Sequence, residues 1–335
     1  MSDTFDNDLQ TKLLNKVKNV LPPSKSLVFE LSELLKVSTD SVYRRMRGET
    51  SLTLEEVSKI CNHFHVSLDV ASENTTGVVA FNYSLLQDID GFKTHWRYIV
   101  NDLLDIAKAK EQRIIYAAID IPIFHYFKFP ELAAFKMFYW MKEVMNVEFL
   151  NDKLFDSSMV NDEIKQIGFA LYNEYCKATS VEIWTELTVN SLIKQIEFYW
   201  ESGLFSNKQD ALTICDQSLE MLNHVSKQAE ANSKLLTANV SEDNLNYQFY
   251  SSDIELGNNC VHIVKDNVTE VYLGILTFNT MVTTNPAYCR ETENWLNNII
   301  KKSTLLSGSG QKQRYQFFKK VTDKIEDFRK KIETT

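Results

Sequence analysis

The chain has 335 residues, enough for two or three domains, with 44% apolar residues and a net charge of −9. Nine glycines and five prolines are too few for a loop-rich or all-β chain, so helices are expected to dominate. No apolar run reaches the roughly 20 residues of a membrane helix, and the acidic N-terminus is unlike a secretory signal. Five scattered cysteines, at 61, 176, 215, 260 and 289, predict free thiols in a reducing, cytoplasmic setting.

Charge is unevenly spread. Residues 1–72 hold 9 basic and 10 acidic side chains, a net −1; residues 301–335 hold 10 and 4, a net +6; the stretch between carries −14. An acidic body repels phosphate, so nucleic-acid contact is expected only at the two ends.

Leu9, Leu13, Leu14, Val17 and Leu21 recur at helical spacing and predict a first helix, ended by Pro22-Pro23. Ser24 or Ser26 can cap a second, with Val28, Leu31 and Leu35 inward and small Ser32 where a following helix must cross closely. The chain turns at Lys36-Val37. Ser38 is an N-cap for a third helix running to about Arg47. Val42 and Met46 face its core; Thr39, Asp40, Tyr43, Arg44 and Arg47 are left outward, and Gly48 stops it. Thr53-Leu54-Glu55-Glu56 forms a capping box for a fourth helix, whose apolar face is Leu54, Val57, Ile60, Cys61 and Phe64. Val66-Ser67-Leu68 begins a short fifth turn.

Over residues 9–72 this arrangement resembles the helix-turn-helix domain of the phage-repressor-like (XRE) family of bacterial regulators. The matching features are Leu31, Ser32, Val37-Ser38, Val42, Arg47-Gly48-Glu49 and the later L-x-x-V-x-x-I-C-x-x-F-x-V-S-L-D. The resemblance implies a sequence-specific regulator of transcription that sets residues 38–47 in the major groove of double-stranded DNA. Thr39, Asp40, Tyr43 and Arg44 would then face base edges, and Lys25, Ser26, Arg47, Thr50 and Ser51 would contact phosphate. The chemistry agrees: Arg44 suits a bidentate contact to guanine, worth about 1–3 kcal/mol of discrimination. Arg47 and Lys25 would act through charge alone.

Two positions depart from the family. Lys36 stands where glycine is preferred, and a left-handed backbone there costs roughly 1 kcal/mol. Arg45 stands where an apolar residue is common; Met46 can take over that packing, which leaves the helix register open by one residue. Three arginines on a helix also fit a plain solvated face, and helix-turn-helix units also dock proteins. Cap, turn, core spacing and basic face coincide on one helix, which favours DNA.

Residues 73–77 read as a linker, and 78–306 as an α-rich regulatory or oligomerisation domain. Strands are expected at 78–83 and 114–121, and a long helix at 91–112. The apolar, aromatic stretch 130–145 predicts a helix buried on most sides, and helices also fit 162–178, 181–202 and 208–236. Val261, Ile263, Val268, Val271, Leu273 and Ile275 flank Asp266-Asn267 as a hairpin, and a helix returns over 289–303. The fold class expected is mainly α: a five-helix helix-turn-helix domain, then a helix-rich α+β domain with a few strands near 245–284.

No Walker A, G-x-G-x-x-G, G-x-S-x-G or H-E-x-x-H motif is present. Cys61, His63 and His65 alternate and do not converge as metal ligands do. The reading is therefore no enzyme, metal or cofactor; a catalytic group assembled only in space remains an alternative. Trp96, Trp140, Trp184, Trp200, Phe124 and Tyr126 fit plain core better than a pocket for a small-molecule or peptide effector. One recognition helix reads few base pairs, so a homodimer on two half-sites is expected.

Ser307-Gly308-Ser309-Gly310 reads as a flexible joint. Beyond it, Tyr315, Phe318, Val321, Ile325, Phe328 and Ile332 stripe an amphipathic helix, with Lys319, Lys320, Lys324, Arg329, Lys330 and Lys331 on its other faces. Docking on the acidic body, in cis or across a dimer, is favoured over phosphate contact or an anionic membrane. The stripe needs burial, and the body supplies the opposite charge.

Overall fold

Leu13, Leu14 and Val17 share one face of the first helix, and burying that face organises the N-terminal unit. The computed structural model describes residues 4–21, 25–64, 66, 68, 78–83, 89–156, 158, 162–236, 245–275 and 279–334. Helices α1 (Thr4–Val20), α2 (Leu27–Leu35), α3 (Thr39–Met46) and α4 (Leu54–Phe64) close around Leu13, Leu14, Val17, Leu31, Leu35, Val42 and Ile60. Pro22-Pro23 lie outside the described residues, as does most of the stretch where a fifth turn is expected. Residues 1–81 with 283–288 make one compact unit, and residues 82–282 with 289–335 another.

The caps hold these short helices in place. Ser38 accepts from the Ser41 amide at 3.2 Å. Thr53 and Glu56 form the reciprocal box: Thr53 N donates to Glu56 Oε2 at 2.9 Å, and Glu56 N donates to Thr53 Oγ1 at 3.2 Å. Lys36 adopts φ 55°, ψ 46°, the left-handed conformation expected at the turn. Ser32 is buried and returns its hydroxyl to Phe29 O at 2.8 Å.

The strands, which but for Thr283 belong to the larger unit, are β1 (Asn82–Tyr83), β2 (Gln112–Ala118), β3 (Ser180–Trp184), β4 (Tyr247–Ser251), β5 (Cys260–Lys265), β6 (Val268–Ile275), β7 (Asn279–Thr283) and β8 (Thr304–Leu305). As described, they form one eight-stranded sheet in the order β1-β7-β6-β5-β2-β3-β4-β8. At its centre β2, β3 and β4 are paired in parallel. The long helix α5 (Ile89–Lys108) precedes β2. Helical crossovers join the parallel strands. The first contains α6 (Pro130–Tyr139), a π-helical turn (Trp140–Val144) and α7 (Asp162–Lys177); the second contains α8 (Asn190–Glu201) and α9 (Lys208–Ala231). Helix α10 (Pro286–Lys302) follows β7.

The sheet is larger than the few strands expected, and the helix expected over 181–202 is corrected. Its first part is β3, buried along its whole length, and only Asn190–Glu201 is helical. A strand buried on both faces has no apolar–polar alternation, so Ser-Val-Glu-Ile-Trp merges with the helix pattern that follows. The strand expected over 78–83 is reduced to Asn82–Tyr83. The hairpin forms as expected: β5 pairs with β6 across Asp266-Asn267, with Asp266 at φ 50°. Asp266 Oδ1 also accepts the Lys110 and Glu111 amides at 3.0 and 3.1 Å, tying the turn to the approach of β2.

The basic tail is helix α11 (Gln311–Thr334), docked in cis against α8 and α9. Phe317, Phe318, Val321, Ile325, Phe328 and Ile332 are buried, and the Phe318 ring lies 5.5 Å from that of Phe249 on β4. Tyr315, expected on this stripe, is instead 69% exposed. Arg314 turns inward in its place, donating to the Leu306 and Gly308 carbonyls at 2.8 and 2.9 Å. Acidic partners follow the charge argument: Lys320 meets Glu186 at 2.6 Å, Arg329 meets Asp216 at 2.5 Å and Arg314 meets Glu230 at 3.2 Å.

Candidate nucleic-acid interface

Which side of α3 faces outward is decided by what its neighbours take inward. Val42 is 1% exposed and Met46 packs against the same core. Arg45 is neither solvated nor apolar packing. Its guanidinium donates to Glu56 Oε1 at 2.8 Å and Oε2 at 3.4 Å, and to Ser41 O at 3.2 Å. Burial pushes the Glu56 carboxyl up, but the hydrogen bonds from Thr53 and Arg45 outweigh it and hold the group below its ordinary value. The register left open at Arg45 is thus settled by an ion pair to α4.

With those three turned away, Thr39, Asp40, Tyr43 and Arg44 form one exposed face of α3. Tyr43 is 49% exposed. Asp40 sits in the first turn, where the helix dipole favours a carboxylate.

The turn after α3 carries further polar groups. Gly48 has φ 72° and lets the chain fold back, so that Glu49 N donates to Arg44 O at 2.9 Å. The Glu49 carboxylate then faces the last turn of the helix. Arg47 Nε and Nη2 donate to its two oxygens at 2.6 and 3.1 Å, and Arg44 Nε lies 3.7 Å away. The hydrogen bond from Arg47 is the main reason Glu49 titrates below its ordinary value.

Thr50 and Ser51 follow, and their loop is fastened from α1. Gln10 Nε2 donates to Arg45 O at 2.8 Å and Thr50 O at 3.0 Å, while its Oε1 accepts the Leu52 amide at 2.7 Å. Nothing in the sequence marks Gln10, because its partners are backbone groups 35 to 42 residues away. Lys25 and Ser26 stand exposed at the start of α2. Ser26 occupies the N-cap position without a capping hydrogen bond from its side chain, and Lys25 pairs with Glu30 at 3.0 Å.

The larger unit holds several charged residues in its interior. Glu182 is fully buried on β3 and accepts from Tyr175 Oη at 2.7 Å and Trp184 Nε1 at 2.8 Å, with His125 Nε2 2.9 Å away. Burial opposes its ionisation, yet His125, the Tyr175 hydroxyl and nearby Lys234 together hold its carboxyl below the ordinary value. Lys136 is pushed down to about 7 by burial; it bonds Gln195 at 2.5 Å inside a ring of Tyr126, Trp140 and Tyr139. Lys234, also pushed down to about 7 by burial, sits 3.7 Å above the Tyr175 ring and bonds Ser180 at 2.7 Å.

Among the described residues no group of three or more His, Cys, Asp or Glu side chains is placed to hold a metal ion. His65, one of the three alternating residues, lies outside them. The aromatics are core: Trp96 stacks on Trp140 at 5.7 Å, Phe124 on Tyr175 at 4.2 Å, and Trp184 meets Phe249 at 5.1 Å. An open polar groove of about 450 Å³ lies between α9 and the start of α11, lined by Ser226, Glu230, Gln311, Lys312, Arg314 and Tyr315. No described helix is long and apolar enough to cross a membrane.

The BetR domain family model matches residues 11–80, the stretch that holds the exposed α3 face. The match marks a small helical domain of regulator type and covers about a fifth of the chain. No curated protein and no solved structure matches the chain.

Proposed function

We propose that the protein is a sequence-specific DNA-binding regulator of transcription that places α3 in the major groove. The observation that carries this reading is the outward face of α3: polar, with Arg44 exposed on it and Arg47 at its end, on a short capped helix, inside the BetR-like stretch. The XRE-like pattern of residues 9–72 supports the same reading. Thr39, Asp40, Tyr43 and Arg44 are assigned to base edges. Lys25, Ser26, Arg47, Thr50 and Ser51 are assigned to phosphate. Phosphate contacts set position and affinity, whereas base-edge contacts set sequence.

The larger unit is assigned to regulation and oligomerisation rather than to catalysis, and the protein to the cytoplasm. A homodimer would present two α3 helices to half-sites about one helical turn apart. Selection of bound duplexes from a random pool tests the reading. A palindromic consensus with that spacing is the expected result. Recovery of a pool no different from the input would overturn DNA reading and leave protein docking as the function of the N-terminal unit.

A further inference from the structure

Glu49, in the turn beside the α3 face, is the residue whose presence the proposed function does not explain. It places a carboxylate at the C-terminal end of the helix, where the dipole already disfavours negative charge. It also stands among the residues assigned to a polyanion. Its surroundings explain how it is tolerated. Gly48 turns the chain, the Glu49 amide is fixed to Arg44 O, and the carboxylate enters the fork of Arg47 with Arg44 alongside.

A two-point, charge-assisted contact of this kind is the one a guanidinium makes to phosphate. We infer that Glu49 is an intramolecular stand-in for phosphate: it occupies Arg47 and Arg44 in the DNA-free protein and restrains binding to DNA of unrelated sequence. The inference rests on the DNA-binding reading and adds to it a negative element of specificity. On an unrelated duplex, affinity comes from phosphate contacts alone. Arginines held by Glu49 contribute less to it. Lys25 is similarly engaged by Glu30, but through a single contact rather than a fork.

The test uses the full-length protein, a random-sequence duplex of about 20 base pairs, and a titration of affinity against salt. Glu49→Gln keeps the shape and removes the charge. Glu55→Gln, on an exposed carboxylate in the first turn of α4, makes the same change in net charge without releasing an arginine. Glu49→Gln is expected to bind about fivefold tighter at low salt, the upper range for loss of an exposed ion pair. Its salt dependence should steepen by about 1 to 2 in log–log slope, roughly 0.9 for each additional phosphate neutralised. Glu55→Gln should leave the slope unchanged.

If wild type binds and Glu49→Gln shows the same slope, or Glu55→Gln matches its increase in affinity, the inference is wrong and the DNA-binding reading stands. If Glu49→Gln fails to bind the random duplex while wild type binds one drawn from the selected pool, the inference alone is wrong; if none of the three proteins binds either duplex, the DNA-binding reading fails and takes the inference with it.

Discussion

Arg44, Arg45 and Arg47 are identical in chemistry and have three different surroundings. Arg44 is exposed among the groups assigned to base edges, Arg45 is half-buried on Glu56, and Arg47 is exposed and held by Glu49. Their substitution should therefore have three different results. Arg44→Ala is expected to cost about 1–3 kcal/mol on the selected sequence and to relax preference at one base position. Arg47→Ala should weaken the matched and single-mismatch duplexes alike and lower their salt slope by about 1. Fluorescence anisotropy on matched and single-mismatch duplexes separates the two. Equal losses on every sequence for both variants would remove Arg44 from the base-contact set. The position of Arg44 and Arg47 on the outer face was legible from Val42, Met46 and Gly48, which are local signals. The role of Arg45 was not, because Glu56 lies on the next helix.

At the scale of the element, α3 is held by two attachments. The Arg45–Glu56 pair joins it to the capped start of α4, and Gln10 joins its last turn and the following loop to α1. Glu56 serves both the capping box and the ion pair, so Glu56→Ala is expected to destabilise the N-terminal unit by about 1–2 kcal/mol. The pH dependence has a definite sign. The folded Glu56 carboxyl titrates below its ordinary value, so its contribution is present above about pH 4 and is lost as pH falls through the folded value. The stability difference between wild type and Glu56→Gln should accordingly be largest near neutral pH and shrink in acid. Urea titrations at pH 7 and pH 3 check this; a difference that grows in acid would contradict the ion-pair assignment. The capping box was readable from Thr53 and Glu56 alone, since its partners lie three residues apart. The clamp by Gln10 was not.

At the scale of the whole molecule, α11 completes the core of the larger unit. It buries six apolar side chains, each worth roughly 1.5–3 kcal/mol. Their sum rivals the entire stability of a typical domain, about 5–15 kcal/mol. Removing residues 311–335 is therefore expected to abolish the cooperative thermal transition of that unit, followed by near-ultraviolet circular dichroism of its buried tryptophans. An unchanged transition would show that the docking of α11 contributes little. The basic side chains of this helix meet Glu186, Asp216 and Glu230, which accounts for a +6 tail on a −14 body.

The sequence by itself determined four helices of the N-terminal unit, the Ser38 cap and the Thr53–Glu56 box, the outward face of α3, the 260–275 hairpin and the amphipathic character of the tail. All of these depend on contacts within a few residues, where spacing and caps carry the signal. Tertiary structure alone decided the parallel centre of the sheet, the inward turn of Arg314 in place of Tyr315, and the burial of Glu182, Lys136 and Lys234. The physical reason is common to these cases. A strand covered on both faces loses its alternation, and a buried charge is tolerable only beside partners the chain brings from elsewhere. Glu182 meets His125 from 57 residues away, and Lys234 meets Ser180 from 54.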